Sequence, residues 1–436
     1  MRDTTFSILK GLALLFVVMA SALPPIYLQQ TAQLLGFPAL FVAAGYLIKP
    51  EVLQAKTAFV VGRIKRIYFP FVFFGLLFLL LHNVFFSWGL LSTQMSAVDG
   101  SVTQPYTWQE AAQNLWNIVF QLSGYGNFLG QSLWILATLL IAHSGLLVLR
   151  VAAARIKWLN TEFKQLSAIA ALVLLLASWQ SLMGLQIASI AGGGFRELMG
   201  IFFLSLGVLL RKIDSSEAFP ALQNPIVGIA AGAIIVLPLA IFYPVAMTPT
   251  ASIGQVWALA AGGCASFLLL RGLSSLLAPL PPKATQPFVF AGQYFFPILV
   301  FHLLAFKLVS LIKVAALGLP WDYVAQHPVV HTHPDAYFWV FYTLVGFGLP
   351  LGLCWSWHTL DEKYHLRQAT PQEWLQLSIM CGKFLVRSLI AGAVFLYQFA
   401  VIGARAIFRG IIAFGRGIKN MVLSIIRASS PNDDDE

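Results

Sequence analysis

About ten stretches of this chain are apolar for long enough to cross a bilayer, where roughly 20 helical residues span a ~30 Å hydrocarbon core. They fall near residues 8–28, 33–49, 67–91, 131–152, 166–185, 196–211, 225–246, 252–271, 288–312 and 336–356. The 196–211 run is short, and tilt or bilayer thinning accommodates it. The pattern predicts an all-α polytopic membrane bundle of about ten transmembrane helices, followed by a C-terminal amphipathic helix.

Composition excludes the alternative of two or three soluble domains, which 436 residues could otherwise hold. The chain is 58% hydrophobic and only 10% charged, whereas a soluble protein carries roughly a quarter charged residues. The net charge of +10 fits basic cytoplasmic loops and anionic lipid rather than nucleic acid. Cys264, Cys354 and Cys381 show neither metal spacing nor a disulfide framework. The first apolar run has no small-residue cleavage site before Pro24-Pro25, so it reads as a retained span.

The charges between runs give the topology. Lys49, Lys56, Arg63, Lys65 and Arg66 crowd the second connection, while 92–130 contains no Lys or Arg. Basic and non-basic connections then alternate, with Arg150, Arg155, Lys157 and Lys164, then Arg211 and Lys212, then Arg271 and Lys283 on one side. The positive-inside rule puts these, and both termini, in the cytoplasm. Within the outer connection, 107–122 has the pattern of an amphipathic helix that lies on the surface or dips into a cavity. The spans make one domain, 1–356. Residues 357–428 form a basic helical tail whose 404–427 stretch is expected on the inner leaflet, and 429–436 an acidic disordered end.

Several residues carry possible chemistry. Lys10 and Ser21 are eleven apart, about 16 Å along a helix and within ~20° of one face. That spacing puts a cation at the membrane edge and a hydroxyl near mid-membrane. Arg63 and Arg66 share a helical face by their three-residue spacing and could hold a diphosphate or carboxylate, or serve topology alone. His302 lies mid-span with Lys307 five residues on. It is either a general base or a hydrogen-bonded structural histidine. His82 and His143, near span ends, read as structural. His327, His331 and His333 with Asp335 could bind zinc, but their spacing fits no standard site, and a solvated, mobile loop is expected. Arg196-Glu197, after Gly192-Gly193-Gly194, either lines an outer cavity or forms a helix-start ion pair. Trp134, after Gln131-Ser132-Leu133, is consistent with an interfacial belt.

The order of these features resembles the acyltransferase-3 family of multi-pass bacterial inner-membrane proteins, over residues 2–356. The matching points are Lys10-Gly11, the run Phe41 to Gly45-Tyr46, Arg63-x-x-Arg66 before Pro70, Leu133-Trp134, and Gly292 with His302 ten residues later. The resemblance implies transfer of an acyl group from cytosolic acyl-CoA to a hydroxyl of an extracytoplasmic glycan or glycolipid. It implies no bound cofactor and no metal. Lys10, Arg63 and Arg66 would hold the donor, His302 would move the proton, and Tyr46, Trp134, Arg196 and Glu197 would line the substrate cavity. Two departures stand out: Ser21 occupies the place of the family's first-span histidine, and Ser7 that of an acid. A serine needs a base of its own. The alternative is therefore a silent member that serves polysaccharide export or assembly beside a glycan synthase or second acyltransferase.

Overall fold

Each apolar run overlaps a helix in the computed structural model, though 288–312 is divided between Pro282–Gln293 and Phe295–Leu317 and 8–28 is broken after Ser21. The structure describes residues 4–48, 56–124, 128–185, 193–216, 219–243, 245–247, 252–333 and 337–364. In chain order the helices are α1 (Thr4–Ser21), α2 (Ile26–Tyr46), α3 (Lys56–Arg63), α4 (Phe69–Ser87), α5 (Trp108–Trp116), α6 (Trp134–Ala153), α7 (Glu162–Met183), α8 (Phe195–Ser215), α9 (Pro225–Phe242), α10 (Ile253–Leu277), α11 (Pro282–Gln293), α12 (Phe295–Leu317) and α13 (Phe338–Tyr364). A π-helical turn, Ile64–Tyr68, joins α3 to α4, and a 3-10 helix, Phe128–Leu133, leads into α6. No strand occurs among the described residues. The chain divides into two compact units, Met1–Ser356 and Trp357–Glu436. The expected helix at 404–427 and the acidic end at 429–436 lie outside the described residues.

Among the described residues, 8 helical stretches are long and apolar enough to cross a membrane. The protein is thus an all-α, multi-pass membrane bundle. Two further long helices, α2 and α8, fall short of that apolarity. The reason is where they sit. α2 packs against α1, α8, α9 and α10, and α8 against α2, α6 and α7. A helix covered by other helices need not be as apolar as one facing lipid. The opposite extreme is α9, with the highest hydropathy, 2.5, and the least buried window, 22%. The 196–211 run looked short because charges bound it, whereas α8 runs for 21 residues and carries Arg196, Glu197, Arg211, Lys212 and Asp214 within it.

Glycines let the inner helices touch backbone to backbone. A Cβ on Gly11 would collide with Phe288 of α11, and one on Gly292 with Ser7 of α1, so the two helices interlock through a reciprocal pair. The same device joins α2 to α8, where Gly45 meets Leu204 and Gly207 meets Val42 and Tyr46. Small residues permit such close approach where lipid supplies no hydrophobic drive between helices.

An ionic lock closes the same end of the bundle. The Tyr46 hydroxyl donates to Asp214 Oδ2 at 2.7 Å, and Arg271 pairs with that oxygen at 2.6 Å. Phe6 stacks on Tyr46 at 4.7 Å between ring centroids. Arg211 Nη1 donates to Ile48 O at 3.2 Å, satisfying a carbonyl just past the end of α2.

The placement expected for α1 is corrected. The helix begins at Thr4, so Lys10 lies two turns inside it and is half-buried rather than at the mouth. Ser21 is its last helical residue rather than a midpoint. Pro24-Pro25 sets that end, because a residue before proline disfavours the α region, and Leu23 turns left-handed at φ 52°. α5 is a surface helix: a Thr107–Glu110 capping box starts it, none of its residues is buried, and Trp108 is 92% exposed.

Substituting Gly207 by Ala should lower thermal stability in detergent by about 1–3 kcal/mol, the usual range for forced overpacking. The same change at Gly348, where an added Cβ meets nothing within 4 Å, should leave the melting temperature nearly unchanged. Equal effects would contradict the interlocked packing.

Candidate functional site

A polar cavity of about 100 Å³ lies where the end of α1 meets α12 and the Phe128–Leu133 helix. Ser21, Gln131, Ser132, Trp134, His302 and Pro328 line it together with apolar side chains. It has room for a few water molecules or one small polar group. Two residues singled out from sequence on different helices, Ser21 and His302, therefore face one space, with Trp134 beside them.

Hydrogen bonding fixes what each wall group offers. His302 is 1% exposed, and its Nδ1 lies 2.7 Å from Leu299 O. A carbonyl only accepts, so Nδ1 carries the proton, and in the neutral ring Nε2 keeps a lone pair. Ser21 Oγ donates to Val17 O at 3.2 Å, which leaves its own lone pairs. Ser132 Oγ is buried without a partner. Gln131 Oε1 accepts from His327 Nε2 at 3.0 Å, so its amide N–H groups remain to donate. The cavity thus holds an acceptor on His302, a donor on Gln131 and two serine hydroxyls. That set suits a hydroxyl-bearing group, which both gives and takes a hydrogen bond.

Trp134 is not a lipid-facing belt residue. Phe37 packs on it at 5.1 Å and the Arg196 guanidinium covers its ring at 4.4 Å. Arg196 Nε in turn donates to Met247 O at 2.9 Å. Glu197 is buried, and its Oε1 accepts from Thr138 Oγ1 at 3.3 Å. Arg196 thus stands behind the cavity wall, while Glu197 faces α6.

A further wall comes from the connection between α12 and α13, where His327 is buried against the expectation of a solvated loop while His331 is half-buried and His333 exposed. Lys307 and Lys313 are both 2% exposed. Lys307 Nζ donates to Gln326 O at 2.7 Å and Val324 O at 3.0 Å. Lys313 Nζ donates to His333 O at 2.8 Å and Val330 O at 3.0 Å. Gln326 binds its own loop: its Oε1 accepts from the His331 backbone N–H at 2.9 Å and its Nε2 donates to Thr332 Oγ1 at 2.7 Å. His327 is 3% exposed, stacks on Phe128 at 4.7 Å and accepts a backbone bond from Val98 at its carbonyl. Burial holds its imidazole well below the ordinary range, and the nearby Lys307, His302 and His331 push the same way. Asp335 lies outside the described residues, among which no group of three metal-ligating side chains forms.

The other sequence candidates sit elsewhere. Arg63 is half-buried with its guanidinium 4.9 Å from the Phe59 ring centroid, and Arg66 is exposed. Arg66 lies in the π-helical turn that starts at Ile64, near enough to Arg63 for the two like charges to act on each other. Neither arginine, nor Lys10, nor Tyr46 lines the cavity. His143 Nδ1 bonds Leu139 O at 2.6 Å within its own helix. His82 is buried, bonds Gln104 O at 2.8 Å and stacks on Tyr106 at 3.8 Å. Both have packed environments of the structural kind. Gln131, Ser132 and Pro328 escaped sequence reasoning as cavity residues. Their signal was only adjacency to Trp134 and to a histidine-rich loop.

No family model, curated protein or solved structure matches this chain.

His327 makes the connection between α12 and α13 sensitive to acid. Its folded value is depressed, so the unfolded chain binds the extra proton first. The stability that this neutral histidine contributes is complete above the unfolded value of about 6.5 and falls as pH drops below it. The wild type should lose more thermal stability between pH 7 and pH 5 than His327→Gln. Identical pH slopes would count against a buried neutral His327.

Proposed function

We propose that this protein is a ten-span bacterial inner-membrane protein of the acyltransferase-3 type, with both termini cytoplasmic. It moves an acyl group from cytosolic acyl-CoA to a hydroxyl of an extracytoplasmic glycan or glycolipid. The observation that carries the reading is the single cavity shared by His302, Ser21, Gln131, Ser132 and Trp134. The alternation of basic connections supports the sidedness, and the ten long helices at the ten apolar runs support the span count.

In this reading the acceptor hydroxyl donates to His302 Nε2, whose lone pair the Leu299 bond leaves available. The hydroxyl oxygen attacks the thioester carbonyl carbon while its proton passes to His302. The Gln131 amide donates to the carbonyl oxygen as that oxygen gains charge. The C–S bond then breaks, and His302 returns the proton to the departing thiolate. Ser21 orients the acceptor through its lone pairs. Lys10, Arg63 and Arg66 are the donor-binding candidates, acting from outside the cavity.

One observation favours a second reading, in which the fold serves glycan export or assembly beside a synthase or second acyltransferase. Ser21 stands in the cavity where the resembled family has its base, so a positioned imidazole is missing there.

The two readings separate by mutation. With the protein in lipid nanodiscs and acetyl-CoA supplied, wild type should release CoA, and His302→Gln should reduce the rate by about 10²–10⁴, the usual contribution of a positioned base. Ser21→His should raise it. A wild type that releases no CoA, together with a His302→Gln strain whose surface glycan is unaltered, would remove the transferase reading and leave the assembly reading.

A further inference from the structure

A larger cavity, of about 390 Å³, remains unassigned at the other end of the first unit, between α11 and α13. α11 packs along the first half of α1, through Gly292 at Ser7 and Gly11 at Phe288, whereas the His302 cavity sits at the last residue of α1. The space is a lateral groove. Phe290, Leu351 and Trp355 form apolar walls, Gly348 and Gly352 its floor, and Lys283 stands at its rim.

Three features of this groove are independent. First, Gly348 and Gly352 are four apart on α13 and so share a face, yet a Cβ at either would meet nothing within 4 Å. Gly346, two residues earlier, is packed tightly against Phe306. The same helix therefore uses one glycine for close packing and two to leave a furrow that no described residue fills. Second, Lys283 is exposed and has no acidic partner among the described residues. Third, α11 starts at Pro281-Pro282 without a side-chain cap, so the positive end of its dipole faces the rim that carries Lys283. The volume falls within the ordinary range of small-molecule sites.

An apolar furrow that opens sideways with positive charge at one end matches a molecule with a hydrocarbon chain and an anionic head. We propose that the groove binds one anionic phospholipid from the leaflet on the basic side of the protein. One acyl chain lies along Gly348 and Gly352 against Leu351 and Phe290, and the phosphate lies at Lys283. The site is separate from the His302 cavity and does not depend on what that cavity does.

Native mass spectrometry of the full chain, purified with equal phosphatidylglycerol and phosphatidylcholine, tests this. Wild type should retain phosphatidylglycerol over phosphatidylcholine by roughly fivefold, the factor that ~1 kcal/mol of attraction per basic residue supplies. Lys283→Gln should bring that ratio near one. Gly348→Leu with Gly352→Leu should remove the bound lipid of either kind. Leucine is a good helix former and its Cβ meets nothing here, so this variant keeps α13. Equal retention of both lipids by wild type would overturn the proposal. A preference unchanged in Lys283→Gln would assign it to the other basic residues and overturn it too. So would lipid-free protein in which Gly352→Cys is shielded from a maleimide, since the groove would then be filled by protein.

Discussion

Two buried lysines, Lys307 and Lys313, govern one end of this bundle. An ammonium with three donors cannot stay in an apolar interior without acceptors, and a loop that folds inward buries carbonyls that need donors. Lys307 and Lys313 answer both needs at once, each donating to two carbonyls of the connection between α12 and α13. Removing either side would leave the other unsatisfied, which costs about 1–3 kcal/mol per neutral group and more for a charge. These four bonds tie Val324, Gln326, Val330 and His333 of the connection to α12. The connection presents Pro328 to the cavity and His327 to Gln131. The chemistry that the cavity can offer follows from that arrangement. The bond from His327 to the Gln131 oxygen fixes which end of that amide is left to donate.

The opposite end solves its own problem differently. There the backbones meet through Gly11, Gly45, Gly207 and Gly292, and Asp214 gathers Tyr46 and Arg271. The close approach leaves no room for a cavity along α1, α2 and α8 at that end. The polar cavity opens where α1 stops at Ser21 and meets α12 and the 3-10 helix before Trp134. The location of the site therefore follows from the end of α1, set by Pro24-Pro25.

Much of the fold was legible because lipid exposure writes itself as long apolar runs. It was least legible for α2 and α8, whose environment is protein, so that their sequences carry glutamines and charges. His302 was legible as an ionisable residue within a span. The position of Ser21 was misjudged because the helix start was set four residues too late and the terminating prolines were not used to fix its end. The Gln131–His327 bond joins residues 196 apart in sequence, and no local pattern encodes such a contact. The histidine loop looked solvated because polarity is what a sequence displays. That its carbonyls were needed by two buried lysines emerges only when the chain is folded. The π-helical turn that carries Arg66 was not legible, because such a turn has no strong sequence signature.

The central claim is that α1, the helix leading into α6, and α12 converge on one polar cavity. It is tested by paired cysteines in a chain whose Cys264, Cys354 and Cys381 are replaced. Ser21→Cys with Ser132→Cys should be joined by a short bifunctional thiol reagent, as should the control pair Arg150→Cys with Glu162→Cys, whose native side chains meet in an ion pair. Ser21→Cys paired with Arg66→Cys should not be joined, because Arg66 does not line the cavity. Joining of the control pair with no joining of positions 21 and 132 would contradict the convergence, and with it the site.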